Sequence, residues 1–230
     1  MTTTLITGAN KGLGHETARR LVAAGHTVHL GSRDAERGRR AADRIGARAV
    51  LIDVTDDASV AAAAKEIAEL GGLDVLINNA GIAGPFKPAS EFTAEDVRLV
   101  HDTNVLGVVR TTQAFLPLLL RSDCPVVVNV GSGLGSLHRT TDPAAMEYGF
   151  PGLAYQSSKA AVSMLTVQYA RLYPTVRVNC VDPGFTATDL NGHRGTQSVN
   201  EGAEVIVAMA GTGADGPTGG FFDAAGPVPW

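Results

Sequence analysis

Cysteine, long apolar runs and stretches of one charge are all scarce in this chain. Of 230 residues only Cys124 and Cys180 are cysteines. Both stand in apolar, strand-like surroundings, which predicts two reduced, buried thiols and no disulfide framework. Net charge is -4, from 19 basic and 23 acidic residues with no basic run. That removes the electrostatic footprint of a nucleic-acid partner. No apolar run approaches the roughly 18 residues of a membrane helix. The opening Met-Thr-Thr-Thr-Leu-Ile lacks the charged-then-apolar pattern of a signal peptide, so a cytoplasmic protein is expected. Internal repeats and low-complexity tracts are missing too. The six histidines are scattered, and His26 and His29 have no third ligand nearby, so no metal site is expected.

Hydrophobic residues at 44% and charged residues at 18% supply an ordinary globular core. Short β-rich runs at 5–7, 27–31, 49–52, 75–78, 126–130, 176–181 and 220–222 alternate with helix-like stretches at about 12–24, 34–46, 56–70, 94–121, 155–173 and 200–210. The runs are apolar almost throughout, as strands buried on both faces are. The alternation predicts an α/β fold: one doubly wound domain over 1–230, with a parallel seven-stranded sheet and helices on both faces. Asp34 and Asp56 are positioned to cap helices, and Thr93 precedes an acidic first turn. Pro117 predicts a kink or an early end in 94–121. Two long irregular stretches, about 134–152 and 185–199, read as functional loops.

The first run ends in Gly8-Ala-Asn10-Lys11-Gly12-Leu13-Gly14. Its G-x-x-x-G-x-G spacing is a variant of the dinucleotide-binding turn. A strand turns into a helix whose N-terminal N–H groups and dipole attract a pyrophosphate. A side chain at Gly12 or Gly14 would block the approach of backbone to phosphate, or of helix to sheet. The second run ends in Gly31-Ser32-Arg33, where an NAD-preferring site carries an acid. With Lys11 in the glycine turn, two cations are expected near a ribose 2′-phosphate. The cofactor predicted is NADPH/NADP+ rather than NADH.

Further along come Asn78-Asn79-Ala80-Gly81, Asn104, Val130-Gly131-Ser132 and Tyr155-Gln-Ser-Ser-Lys159. Tyr155 and Lys159, four apart, share one face of a helix. An ammonium beside a phenol favours the phenolate and lowers its pKa, making a workable acid/base. Ser132, where a buried strand ends, is placed to bond a substrate oxygen. In this order, from Thr4 to about Asp189, the motifs resemble the short-chain dehydrogenase/reductase family, a Rossmann-type fold.

That resemblance implies roles. Tyr155 donates a proton to a substrate carbonyl oxygen, and Ser132 holds that oxygen. Lys159 lowers the Tyr155 pKa and bonds the nicotinamide ribose. Asn104 holds a water chain that returns protons. Asp53 and the Val54 backbone contact the adenine, and Asn79, Ala80 and Gly81 line the cofactor. Pro183, Gly184, Phe185, Thr186, Ala187 and Thr188 face the nicotinamide, with Thr186 and Thr188 near its carboxamide. The Tyr–Lys spacing of four resembles carbonyl reductases rather than enoyl reductases.

Tyr155 follows Ser132 by 23 positions, a longer gap than most of the family shows. The extra residues, roughly 135–151, resemble the insertion of the carbonyl-reductase branch, which covers a dimer surface. A monomer is therefore expected over a dimer or tetramer. Leu134, Phe150, Leu190, His193 and Trp230 are candidate pocket walls. The expected activity is reversible NADPH-dependent reduction of a ketone or aldehyde. The rival reading is a non-catalytic NADP(H)-binding sensor, for which the Ser132–Tyr155–Lys159 set would be superfluous.

Overall fold

The short apolar runs assemble into one sheet in the computed structural model, which describes residues 2–230. Its strands are β1 (Thr3–Ile6), β2 (Thr27–Ser32), β3 (Arg48–Leu51), β4 (Val75–Asn78), β5 (Val126–Val130), β6 (Arg177–Val181), β7 (Phe221–Asp223) and β8 (Gly226–Pro227), in the order β3-β2-β1-β4-β5-β6-β7-β8. The first seven run parallel. The eighth was not expected. It is two residues long and turns back antiparallel on β7, pairing Phe222 with Pro227 and Asp223 with Gly226. Two residues carry no readable periodicity, and only the reversal through Gly226, at φ 127°, creates the pair.

Successive strand residues point to opposite faces and feed two separate cores. Leu5, Leu76 and Val127 pack with α3 (Asp57–Glu69), α5 (Gly107–Leu119) and α7 (Ala154–Leu172). Ile6, Ile77 and Val128 pack with α1 (Gly12–Ala23), α2 (Ala35–Asp43) and α8 (Val199–Ala210). Each fully buried Leu or Ile contributes roughly 1.5–3 kcal/mol of transfer free energy. The near-continuous apolar strands follow from this two-sided burial.

Helix starts are chemically marked. Asp34 accepts from the Arg37 N–H and Asp56 from the Ala58 N–H, as expected. Thr93 and Asp96 form a reciprocal capping box on α4 (Ala94–His101). The expected single helix over 94–121 is in fact α4 and α5, joined by one π-helical turn, Asp102–Leu106. Pro117 lies near the end of α5 rather than at the break. There it removes one N–H from a ladder about to finish. The stretch 134–152 is less irregular than expected. Ser136 caps a five-residue helix, α6 (Leu137–Thr141), flanked by single 3-10 turns. Cys180 is buried and Cys124 half-buried, and neither is disulfide-bonded.

Strand order reverses between β1 and β4, so the carboxyl ends of those strands flank a crevice, where doubly wound folds bind ligands.

Candidate active site

The crevice is a cleft of about 1430 Å³. Its near end is the glycine turn. Gly8 and Gly12 have φ of 63° and 57°, left-handed values that favour glycine. A Cβ on Gly14 would sit 2.5 Å from Asn79 Nδ2 and 2.9 Å from Ala9 Cα. Asn79 therefore does structural work that its motif alone does not reveal. Its Nδ2 donates to the carbonyls of Thr7 and Gly8, at 2.8 and 3.2 Å. The Thr7 hydroxyl, which sequence reasoning passed over, accepts the N–H groups of Asn79 and Ala80 at 3.0 Å each. The two motifs thus hold each other in shape. Lys11, at the N-cap of α1, makes no side-chain cap bond. The first N–H groups of α1 are left to serve an anion. The positive-φ glycines and this uncapped terminus fit the pyrophosphate of a dinucleotide.

Arg33, Asp53 and Val54 line the cleft beyond β2 and β3. Burial alone would raise the Asp53 carboxyl. The Thr55 N–H and hydroxyl, with Arg33 and Arg110 nearby, bring it below its ordinary value. Ser32 is buried outside the cleft lining, its hydroxyl engaged with the Asp34 backbone. Lys11 lines the cleft with Arg33, and its exposed Nζ pairs with Asp189 Oδ2 at 2.6 Å, on the loop after β6. That loop lies across the glycine turn, with Thr188 positioned against Gly12.

At the far end are Ser132, Tyr155 and Lys159, all lining the same cleft. Ser132 follows β5, and its hydroxyl faces the Tyr155 phenol closely enough to lower that phenol's pKa. Tyr155 stands in the first turn of α7, another helix without a side-chain cap. Burial pushes the Tyr155 phenol up to about 12, against the Ser132 hydrogen bond and with the help of negative charge at Asp182. The Lys159 Nζ donates to the Val130 carbonyl at 2.7 Å and stands 5.5 Å from the Tyr155 ring centroid. Burial brings the Lys159 ammonium down to about 8, so desolvation governs both groups.

Asn104 occupies the π turn and is buried. Its Oδ1 accepts the Ile82 N–H, while Nδ2 donates to the Ile82 carbonyl and the Ser158 hydroxyl. A Cβ on Gly81 would lie 3.3 Å from Asn104 Oδ1 and 3.8 Å from Lys159 Nζ. Gly81, Asn104 and Lys159 therefore meet behind the reaction centre.

Gly184 has φ 72°, which turns the chain sharply after β6. Thr186 bonds inward, donating to the Pro183 carbonyl and accepting from Gln197. Leu134, Phe150 and Leu190 wall the cleft, joined by Met146 and Phe185. Phe185 packs against Phe150 with ring centroids 6.0 Å apart. Trp230 and His193 do not line it. Trp230 stacks on Phe221 at 5.4 Å, and the His193 ring bonds Asp189. Asp182, Arg139, Glu147 and Asp223 also reach the cleft. Arg139 and Glu147 were expected only as inserted residues that could wall a pocket, and no role was foreseen for Asp182 or Asp223. The available signal was an acid at the end of a buried strand, immediately before Pro183-Gly184.

Similarity to known proteins agrees with this geometry. The model of the short chain dehydrogenase family matches residues 2–198. The (+)-neomenthol dehydrogenase of Capsicum annuum is 30% identical, with 95% of this chain and 94% of that protein covered. The solved salutaridine reductase of Papaver somniferum superposes with a TM-score of 0.85 at 28% identity, covering 97% of this chain and all of the other. An NADPH-bound carbonyl reductase from chicken fatty liver gives 0.86 at 26%, covering 100% and 99%. The chain belongs to the short-chain dehydrogenase/reductase family of oxidoreductases.

Proposed function

We propose that this protein is an NADPH-dependent carbonyl reductase acting reversibly on bulky, largely apolar ketones or aldehydes. The observation that carries this reading is the placing of Ser132, the half-buried Tyr155 and Lys159, one helical turn along, in one cleft. The support for NADPH is Arg33 at the end of β2, where no acid stands. The named activities of the menthol-type and salutaridine relatives, and the apolar walls Leu134, Met146, Phe150 and Phe185, support the substrate class.

When bound, the dinucleotide supplies a hydride to the carbonyl carbon. The chain's own residues do the rest. The α1 N-terminus and the glycine turn would hold the pyrophosphate, and Arg33 would take the ribose 2′-phosphate. The Ser132 hydroxyl donates to the substrate oxygen and fixes its direction. Tyr155, a phenol with its pKa near 12, is fully protonated at neutral pH and delivers its proton to that oxygen as the alcohol forms. The Lys159 ammonium lies near the phenolate left behind and bonds the ribose. Asn104 orders the path by which a proton returns to Tyr155.

Loss of NADPH absorbance with cyclic and aromatic ketones tests this. Tyr155→Phe is expected to lower kcat by about 10²–10⁴ while NADPH still binds, followed by its fluorescence. Undiminished turnover by that variant would remove Tyr155 from the reaction. Arg33→Ala is expected to raise KM for NADPH roughly tenfold or more and leave KM for NADH nearly unchanged, since a charge-assisted bond contributes about 1.5–3 kcal/mol. Equal effects on both cofactors would place Arg33 away from the 2′-phosphate.

A further inference from the structure

The inserted segment and the end of β6 are joined by charges that the proposed reaction does not use. Asp182 follows β6 and is 7% exposed. Its carboxylate accepts the Gly184 N–H at 3.0 Å and the Gly133 N–H. These belong to the two turns that enclose the reaction centre: one carries Ser132, and the other follows Pro183. Asp182 therefore fastens one turn to the other. Arg139, on α6 in the insertion, closes the set. Its Nη1 donates to Asp182 Oδ2 at 3.1 Å and to Glu147 Oε1 at 3.3 Å, and its Nη2 to Asp223 Oδ2 at 2.7 Å. The joint is tight. A Cβ on Gly133 would be 2.8 Å from Asp182 Oδ2 and 3.2 Å from Arg139 Nη1, and would clash with Glu147 Oε1.

We propose that Arg139 and Asp182 are positioning residues for carbonyl reduction: the insertion's guanidinium offsets the charge of a carboxylate that clamps the Ser132 turn to the Pro183-Gly184 turn beside Tyr155. The inference rests on the reductase reading. It gives the insertion a purpose in proton control, beyond forming a wall.

The charged surroundings of Asp182 are Arg139 from α6, Glu147 from the following turn, Asp223 from β7, Tyr155 and Lys159 from α7, and the Cys180 thiol from β6. Negative charge at Asp182 holds protons on Tyr155 and Lys159, and Arg139 offsets that charge. Removing either partner therefore acts on the reaction with opposite sign. A scaffold role would give both removals the same sign.

The test is the pH profile of NADPH-dependent ketone reduction, with melting temperature measured beside it. Asp182→Asn is expected to move the alkaline limb of kcat/KM down by roughly half a pH unit, and Arg139→Gln to move it up by a similar amount. The double variant is expected to return toward the parent, and Arg139→Lys to recover part of the shift. KM for NADPH is expected to stay within about threefold throughout, with the loss falling in kcat. Ser136→Ala is the structural control. It removes the cap of α6 and the bond to the Pro229 carbonyl without touching the charges, so it lowers the melting temperature and leaves the profile in place. If Arg139→Gln does not fold, Glu147→Gln reads the same joint, with a downward shift expected. Shifts of one sign in both single variants, or unmoved limbs with lowered melting temperatures, overturn the inference while leaving the reductase reading intact. Turnover that survives in Tyr155→Phe overturns the reading itself and this inference with it.

Discussion

A methyl group at position 14 would press on Asn79 Nδ2 at 2.5 Å and Ala9 Cα at 2.9 Å. One side would have to give, and Asn79 is pinned by its bonds to Thr7 and Gly8. Gly14→Ala is therefore expected to cost about 1–3 kcal/mol in urea unfolding, the usual cost of forcing atoms into a packed site. It should also weaken dinucleotide binding, because the displaced Asn79 shapes the same turn. A variant as stable as the parent would show that the turn can yield. The spacing of Gly8, Gly12 and Gly14 announces a phosphate turn, but the partner that makes Gly14 obligatory lies on another strand, beyond the reach of spacing. Ser132, Tyr155 and Lys159 were legible because their separations are local and their order along the chain is distinctive. Asp182 and Arg139 were not, because their meaning lies in an ion pair between the end of β6 and α6.

Among the elements, α2, α3, α4 and α8 begin with side-chain caps, whereas α1 and α7 do not. Both α1 and α7 begin at the cleft, where N–H groups left without a side-chain acceptor can serve a ligand. The joint between α4 and α5 is irregular. A π turn commonly marks a site, and here it turns Asn104 toward Ile82 and Ser158. Asn104→Ala leaves the Ile82 N–H and carbonyl without partners, at about 1–3 kcal/mol in denaturant unfolding. Its kcat is expected to fall well beyond that of a surface variant matched in stability, and matched kcat values would confine Asn104 to a structural role. The helix pattern of 94–121 concealed this turn, since one added residue barely disturbs a 3.6-residue period.

At the scale of the whole molecule, a pH dependence of stability is expected from a residue outside the cleft lining. His29, in β2, is 1% exposed, and neither ring nitrogen has a hydrogen-bond partner among the described residues. Burial, with Arg48 adding to it, holds its imidazole below the ordinary value. A base with a depressed folded pKa binds fewer protons folded than unfolded. Its stabilising effect is thus complete above about pH 6.5 and is lost as pH falls, by up to about 1.4 kcal/mol per pH unit for one proton. Unfolding monitored between pH 7.5 and 5.5 is expected to show the parent weakening and His29→Leu weakening less. Parallel slopes would assign the acid sensitivity to other groups.

Sequence alone determined the α/β alternation, the parallel sheet, most helix caps, the glycine turn and the Tyr–Lys pair, because each depends on residues near one another along the chain. Tertiary structure alone decided the eighth strand, the π turn, the ion pair of Lys11 with Asp189, the burial of Ser32 outside the cleft lining and the clamp at Asp182. Those features arise where segments distant in sequence compete for the same charges and the same space. The rise of the Tyr155 phenol belongs with them, since burial is a property of the packed molecule and here it outweighs the Ser132 hydrogen bond.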